Sequence, residues 1–139
     1  MKLKVISGIC LLLVVLVWSC QSDESIEFNR YYSSGISVYQ THCQNCHGAN
    51  GEGLNGLIPP LTDSVVLKTY SIALPCIIKN GLKQQITVSG KLFDGEMPAV
   101  SLTPIEIAQV ITYVTNSFGN KRGLVSDDAV AADLAKCTL

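Results

Sequence analysis

The sequence predicts an all-α domain of about four to five helices, with a weak signal for a short β-hairpin near residues 86–93. Apolar residues recur at helical spacing over residues 104–118, and helix caps and stop signals divide much of the remaining chain into short helical pieces. The hairpin signal is the pair Ser89-Gly90 between two short strand-like runs. A chain of 139 residues suffices for one domain with a modest core.

The first predicted helix covers residues 30–46. Within it Gly35 and Tyr39 precede Cys43 at helical spacing and share one face. A glycine inside a helix costs about 1 kcal/mol relative to alanine, so Gly35 suggests a close crossing with another helix. The alternative is a helix that begins near Ser34.

The later helices are predicted from their ends. Thr62 or Asp63 can cap the first of them. Thr103, followed by Pro104, starts the longest. Ser126 caps the last, whose acidic residues come first and whose Lys comes last, as the helix dipole favours. These helices are expected over residues 64–70, 72–80, 104–118 and 127–136.

The stretch from Cys43 to His47 carries the most specific chemistry in the chain. It reads C-x-x-C-H, the attachment signature of a c-type haem. Cys43 and Cys46 lie one helical turn apart, so both thiols can form thioether bonds to one porphyrin while the imidazole of His47 binds the iron. One alternative is a thioredoxin-like redox disulfide, which normally occurs within a βαβ unit. The other is half of a zinc site, which requires a second pair of ligands.

A second candidate ligand lies in the loop Asp94 to Ala99. Met97 is the only methionine besides Met1, and it lies among Gly and Pro rather than on a periodic apolar face. A thioether in such a loop is better explained as the sixth iron ligand than as a core residue. Histidine is the other common sixth ligand, but His42 directly precedes the motif and would project from the same helix.

The Gly-rich loop after His47 leads into an extended segment, residues 57–61, that contains two prolines. Such a segment leaves backbone carbonyls unpaired, and a metal-bound His usually donates its other ring N–H to a group of this kind. The interpretation is that this segment orients His47.

Composition excludes some functions. The chain has 10 basic and 11 acidic residues, and removal of residues 1–19 with Lys2 and Lys4 leaves 8 basic and 11 acidic residues, a net charge of −3. This balance argues against nucleic-acid binding. Of six cysteines, Cys76 and Cys137 remain after the motif and the N-terminal segment are set aside. In an exported protein such a leftover pair is more often bridged than free.

The N-terminal segment predicts export. Two lysines precede an apolar run from Val5 to Trp18, which is short for a membrane span and suits a signal peptide. Ser19-Cys20 resembles the end of a bacterial lipobox, so we expect cleavage before Cys20 and a lipid on its thiol. An ordinary signal peptide cut nearby and an uncleaved anchor are the alternatives. The following polar, acidic residues are interpreted as a tether.

These motifs together resemble class I cytochrome c, in the bacterial group with one haem per domain. The resemblance runs from about Ser34 to Asn120 and rests on C-x-x-C-H, a following Pro-Leu segment, G-x-M-P and a closing L-T-x-x-E-I helix. It implies a cytochrome c-like fold around one covalently bound haem c. It also implies that the carbonyl of Pro59 accepts the proton of the axial His and that Leu61 packs on the haem.

The resemblance further implies a crossing of the first and last helices of the family's core, in which Gly35 and Tyr39 meet Val110 and Tyr113. The tail after Asn120 lies outside that core. Our hypothesis is that Cys137 bridges Cys76 and fastens this tail, which on the chain-entropy model would contribute about 4 kcal/mol. The expected organisation is a signal peptide, a lipidated N-terminus with linker, a cytochrome c domain and a helical extension, over residues 1–19, 20–29, 30–120 and 121–139 respectively.

The ligand set predicts function. His and Met together fill both axial positions, so no site stays open for a small-molecule substrate, and the expected role is a one-electron carrier with a positive potential rather than an enzyme. Redox proteins (a dehydrogenase, an oxidase or another cytochrome) and the membrane, through the lipid on Cys20, are the expected partners. The alternatives are a cytochrome subunit of a larger dehydrogenase or oxidase complex, a gas sensor from which Met97 detaches, and, ranked last, a haem peroxidase.

Overall fold

The computed structural model describes residues 23–137, together with the isolated positions Ile6, Gly8 and Leu11. The predicted lipidation site Cys20 and nearly all of the predicted signal peptide lie outside the described residues. Within the described part, six helices and one two-stranded antiparallel sheet confirm the predicted fold class. None of the described helices combines the length and the apolar character that a membrane span needs. The elements are α1 (Asp23–His42), α2 (Gln44–His47), α3 (Ser64–Thr69), α4 (Leu74–Asn80), β1 (Ile86–Val88), β2 (Lys91–Phe93), α5 (Pro104–Val114) and α6 (Asp127–Leu134).

Helix α1 begins earlier than the sequence predicted. Residues 23–29 were assigned to a linker, but they form the first two turns of this 20-residue helix. Two acidic residues occupy the first turn, where they face the positive end of the helix dipole. Phe28 then stacks on Tyr32, with ring centroids 5.8 Å apart, so the extra turns have packing of their own. The predicted boundary at residue 30 and the alternative start near Ser34 are therefore both wrong.

Helices α1 and α5 cross at Gly35. A Cβ atom built on Gly35 would collide with the backbone carbonyl oxygen of Gln109 and would lie 2.8 Å from the Cβ of Tyr113. The absence of a side chain is what allows the two backbones to approach this closely. One turn further along α1, the rings of Tyr39 and Tyr113 lie with centroids 5.3 Å apart. The crossing implied by the resemblance is thus present in the structure.

Helix α5 supplies more of the buried core than any other described element. Its start is a capping box, in which Thr103 and Glu106 satisfy each other's backbone N–H groups, and Pro104 occupies the first turn. The helix ends at Val114, four residues before the predicted end, and Phe118 adopts a φ of +58° beyond it. The buried residues of α5 are Ile107, Ala108, Val110, Ile111 and Thr112.

The hairpin forms where the sequence indicated it. Ile86 pairs with Phe93 and Val88 with Lys91, and both turn residues, Ser89 and Gly90, have positive φ, as a two-residue hairpin turn favours. Asp63 fastens this hairpin to α3. Its carboxylate accepts hydrogen bonds from the first turn of α3 and from both the N–H and the hydroxyl of Ser89. The backbone bond from Val66, followed by the hydroxyl of Ser89, lowers the pKa of this carboxyl.

The C-terminal tail packs onto the domain through α6. Val130 is 1% exposed within the core, and the hydroxyl of Tyr31 on α1 donates to Asp127 at 2.8 Å. Cys76 on α4 and Cys137 form a disulfide that closes a sequence separation of 61 residues.

Candidate haem site

An apolar cavity lies beside the C-x-x-C-H motif. Its walls come from α2, the extended segment 57–61, α3, α4, the hairpin, the loop around Met97 and α5. Most of the side chains that line it are aliphatic or aromatic, among them Leu61, Leu67, Leu74, Ile78, Phe93 and Val114. A cavity with such walls suits a flat apolar ligand with few polar contacts.

The two thiols of the motif line this cavity. Cys43 stands at the N-cap of α2, and its carbonyl accepts hydrogen bonds from Cys46 at 3.1 Å and from His47 at 2.9 Å. This single turn places both thiols on one face. Cys43 is half-buried, and burial, followed by the neighbouring Cys46, raises the pKa of its thiol to about 11. Cys46 is exposed, so the motif extends from the interior of the domain to solvent.

His47 is oriented by the segment that the sequence singled out. Its Nδ1 lies 3.2 Å from the carbonyl oxygen of Pro59. With Nδ1 donating to that carbonyl, the lone pair is on Nε2, the atom that can bind a metal. Burial lowers the pKa of this imidazole, which favours the neutral form that a metal requires.

Met97 lines the same cavity from a different part of the chain. Its backbone pairs with that of Leu82 through two hydrogen bonds of 2.9 Å, in an antiparallel bridge. Gly81 has a φ of +81°, and a Cβ there would lie 2.5 Å from the carbonyl oxygen of Met97. The pairing thus requires glycine at this position. His42, the other candidate ligand, is exposed and does not line the cavity.

Two supporting residues were not identified as such from the sequence. The side-chain amide of Asn120 donates to the carbonyls of Leu61 at 2.8 Å and Val114 at 3.1 Å, which fixes Leu61 against the cavity. The hydroxyl of Tyr39 donates to the carbonyl of Gly48 at 2.6 Å and so holds the loop after His47. The sequence showed Asn120 only as a helix-end residue and Tyr39 only as a helix-packing residue, because both hydrogen bonds join segments whose approach depends on the fold.

A sequence profile of the cytochrome c family matches residues 32–117. This span covers most of the described residues and contains the thiols, His47, Pro59 and Met97. The chain belongs to the cytochrome c family. It is also 30% identical over 98 residues to a cytochrome c-552 of Thermus thermophilus, an alignment that covers 65% of this chain and 72% of the relative. A further cytochrome c-552, from a particular strain of Thermus thermophilus, is 30% identical over 98 residues as well, with 65% of this chain and 64% of that relative covered.

Membership of the cytochrome c family makes haem c the covalent cofactor of this chain and makes haem-based electron transfer, with other redox proteins as partners, its general role. The residues present fit this cofactor. Cys43 and Cys46 present two thiols to one cavity, His47 offers a nitrogen and Met97 a sulfur to it, and the remaining walls are largely apolar. In the described part of the chain, no further cluster of His, Cys, Asp or Glu side chains could hold a metal ion.

Proposed function

We propose that this cytochrome c is a one-electron carrier in which Cys43 and Cys46 would bind the haem covalently and His47 and Met97 would ligate its iron. One observation carries the proposal: the two attachment thiols, the imidazole and the thioether all line one apolar cavity. The bound haem supplies an iron that alternates between the ferric and ferrous states by gain or loss of one electron. With His47 and Met97 as its ligands, the iron would have no position left for a substrate.

The residues of the chain tune this site in two ways. Pro59 fixes the direction of the imidazole, which limits rearrangement when the charge at the iron changes. The thioether of Met97 favours the ferrous state, and the apolar walls disfavour the extra charge of the ferric state. Both effects raise the reduction potential, so we expect a positive value.

The experiment that tests this ligand set is a redox titration of the purified holoprotein, followed by absorption spectroscopy. We expect one Nernstian one-electron transition and the weak far-red band that sulfur ligation gives to ferric haem. Met97→Ala should abolish that band and lower the potential by on the order of 0.2 V. Val65→Ala, a truncation at a residue that is 72% exposed and lies outside the cavity lining, is the control and should leave both unchanged. An unchanged band in Met97→Ala would contradict the proposal.

We also propose that the carrier is tethered outside the cytoplasm, on the periplasmic or cell-surface side of a bacterial membrane, through a lipid on Cys20. Support comes from the two lysines, the apolar run and the Ser19-Cys20 pair. A disulfide between Cys76 and Cys137 also suits an oxidising compartment. Mass spectrometry of the membrane fraction should detect an acylated Cys20 at the mature N-terminus. Recovery of the protein with an intact N-terminal segment, or cut elsewhere, would contradict this.

A further inference from the structure

We infer that the C-terminal tail, residues 121–137, positions Met97, because its disulfide fixes the helix whose C-terminal end is hydrogen-bonded to the Met97 loop. This inference deepens the proposed function and rests on Met97 as an iron ligand. The tail lies beyond residues 32–117, the span that the family profile matches. Its role therefore has to be argued from the contacts of this chain.

The first step links α4 to the loop that contains Met97. Leu82, just after α4, exchanges two backbone hydrogen bonds of 2.9 Å with Met97. Ile78 within α4 accepts a third, from the N–H of Val100 at 2.9 Å. The ammonium group of Lys79 donates a fourth, to the carbonyl of Leu102 at 3.3 Å. Any displacement of α4 is thus transmitted to the backbone of the methionine.

The second step links α4 to the tail. α4 has only seven residues, and a helix of this length has little stability of its own in water. Its position therefore depends on what it packs against. Cys76, in the middle of α4, is bonded to Cys137, while Ile77 and Ile78 next to it line the haem cavity. The disulfide thus attaches α4 to the tail through Cys76, which does not line the cavity and directly precedes the residues that do.

The third step links the tail to the rigid core. The hydroxyl of Thr112, on the most buried helix, accepts from the N–H of Val125 at 3.0 Å. The side chain of Asn116 accepts from the N–H of Gly123 at 2.7 Å and donates to its carbonyl at 2.8 Å. Together with the Tyr31–Asp127 bond, these contacts fix the start of the segment that leads to Cys137 to α5 and α1. The tail therefore acts as a brace between α5 and α4.

The test compares the wild-type holoprotein with the double variant Cys76→Ser/Cys137→Ser. The readouts are the far-red sulfur band of the ferric form and the rate at which carbon monoxide binds to the reduced form. We expect the variant to lose part of the band and to bind carbon monoxide about tenfold faster, since that rate follows the fraction of protein in which the methionine has left the iron. Chemical reduction of the disulfide in wild-type protein should reproduce the faster carbon monoxide binding, which is measured on the reduced haem.

Ile107→Ala is the matched control. Ile107 is fully buried but lies outside the cavity, so its truncation destabilises the domain while the disulfide and the side-chain hydrogen-bonding groups of the tail are retained. The control should retain the band and the slow carbon monoxide binding at the same temperature. A double cysteine variant that behaves like wild type, or an Ile107→Ala variant that loses the band equally, would overturn the inference. A wild-type protein without the band would instead refute Met97 ligation itself.

A second variant tests the first link directly and does not depend on the disulfide. Gly81→Ala places a Cβ against the carbonyl oxygen of Met97, at a φ that disfavours any side chain. It should shift the band and speed carbon monoxide binding in the same direction as loss of the disulfide. A folded Gly81→Ala protein with wild-type values for both would show that the α4 junction does not control Met97.

Discussion

Replacement of Gly35 by alanine tests the helix crossing on which the domain is built. In an isolated helix the change would be favourable by about 0.5–1 kcal/mol, because alanine is the better helix former. In this fold the added Cβ would meet the carbonyl group of Gln109 and would lie 2.8 Å from the Cβ of Tyr113. Ordinary carbon contacts lie at about 3.5–4.0 Å, so α1 and α5 would have to separate by roughly 1 Å.

That separation determines the magnitude of the effect. A gap of about 1 Å removes up to half of the dispersion energy of the contacts that it separates. Overpacking of a core lowers the free energy of unfolding by about 1–3 kcal/mol or somewhat more. After subtraction of the helix-propensity gain, we expect Gly35→Ala to lower the free energy of unfolding by about 2 kcal/mol. For a domain of this size, this corresponds to a melting temperature lower by roughly 10 °C.

The assay is denaturant unfolding of the holoprotein, followed by far-UV circular dichroism. Ser37→Ala is the matched control, since Ser37 is exposed on the same helix and its replacement should change stability by about 0.5 kcal/mol or less. If Gly35→Ala proved as stable as wild type or more so, the close approach of the two backbones would not be a requirement of the fold.

Three further predictions follow from individual contacts. Reduction of the Cys76–Cys137 disulfide should lower the free energy of unfolding by about 4 kcal/mol, as expected for a loop of 61 residues. Tyr39→Phe should cost about 1 kcal/mol, because the carbonyl of Gly48 loses its hydroxyl donor. Asp63 has a lowered pKa in the folded state, so its contribution is present above about pH 4 and is lost as the pH falls through the folded pKa. In a series of melting temperatures measured against pH, Asp63→Asn should therefore show a smaller fall at acid pH than the wild type.

An Asp63→Asn variant with an unchanged loss of melting temperature at acid pH would contradict the role of Asp63, and the tyrosine prediction has a matched control. Tyr70→Phe removes a hydroxyl with no hydrogen bond within residues 23–137, and it should cost less than Tyr39→Phe. Equal effects for the two tyrosine variants would mean that the bond to Gly48 does not contribute. A reducing agent without effect on unfolding would show that the disulfide does not stabilise the fold.

Features encoded by local chemistry could be predicted from the sequence. The capping box at Thr103 and the hairpin turn at Ser89 depend on neighbours a few residues away, and the structure places both as expected. Met97 could be selected because it lies alone in a Gly/Pro loop, where a core role is a poor explanation. Its position on the cavity wall agrees with that interpretation.

Features that depend on distant contacts could not be predicted. The early start of α1 is a different case, because the acidic residues of its first turn and the Phe28–Tyr32 pair, four residues apart, are local signals that the predicted linker left unused. The bonds from Asp63 to Ser89 and from Asn120 to Leu61 join segments far apart in sequence. Only the fold brings these groups together, so no periodicity or spacing reveals them.

The two cysteine pairs also constrain the order of reactions during synthesis and maturation of the protein. Cys43 and Cys46 must meet the haem as thiols, whereas Cys76 and Cys137 must lose their hydrogens to form a bond. Because synthesis runs from the N-terminus, the motif is complete long before Cys137, the last cysteine, exists. An oxidant that acts on the nascent chain therefore encounters the motif first and can close it upon itself. Maturation must keep the early pair reduced while it leaves the late pair free to oxidise.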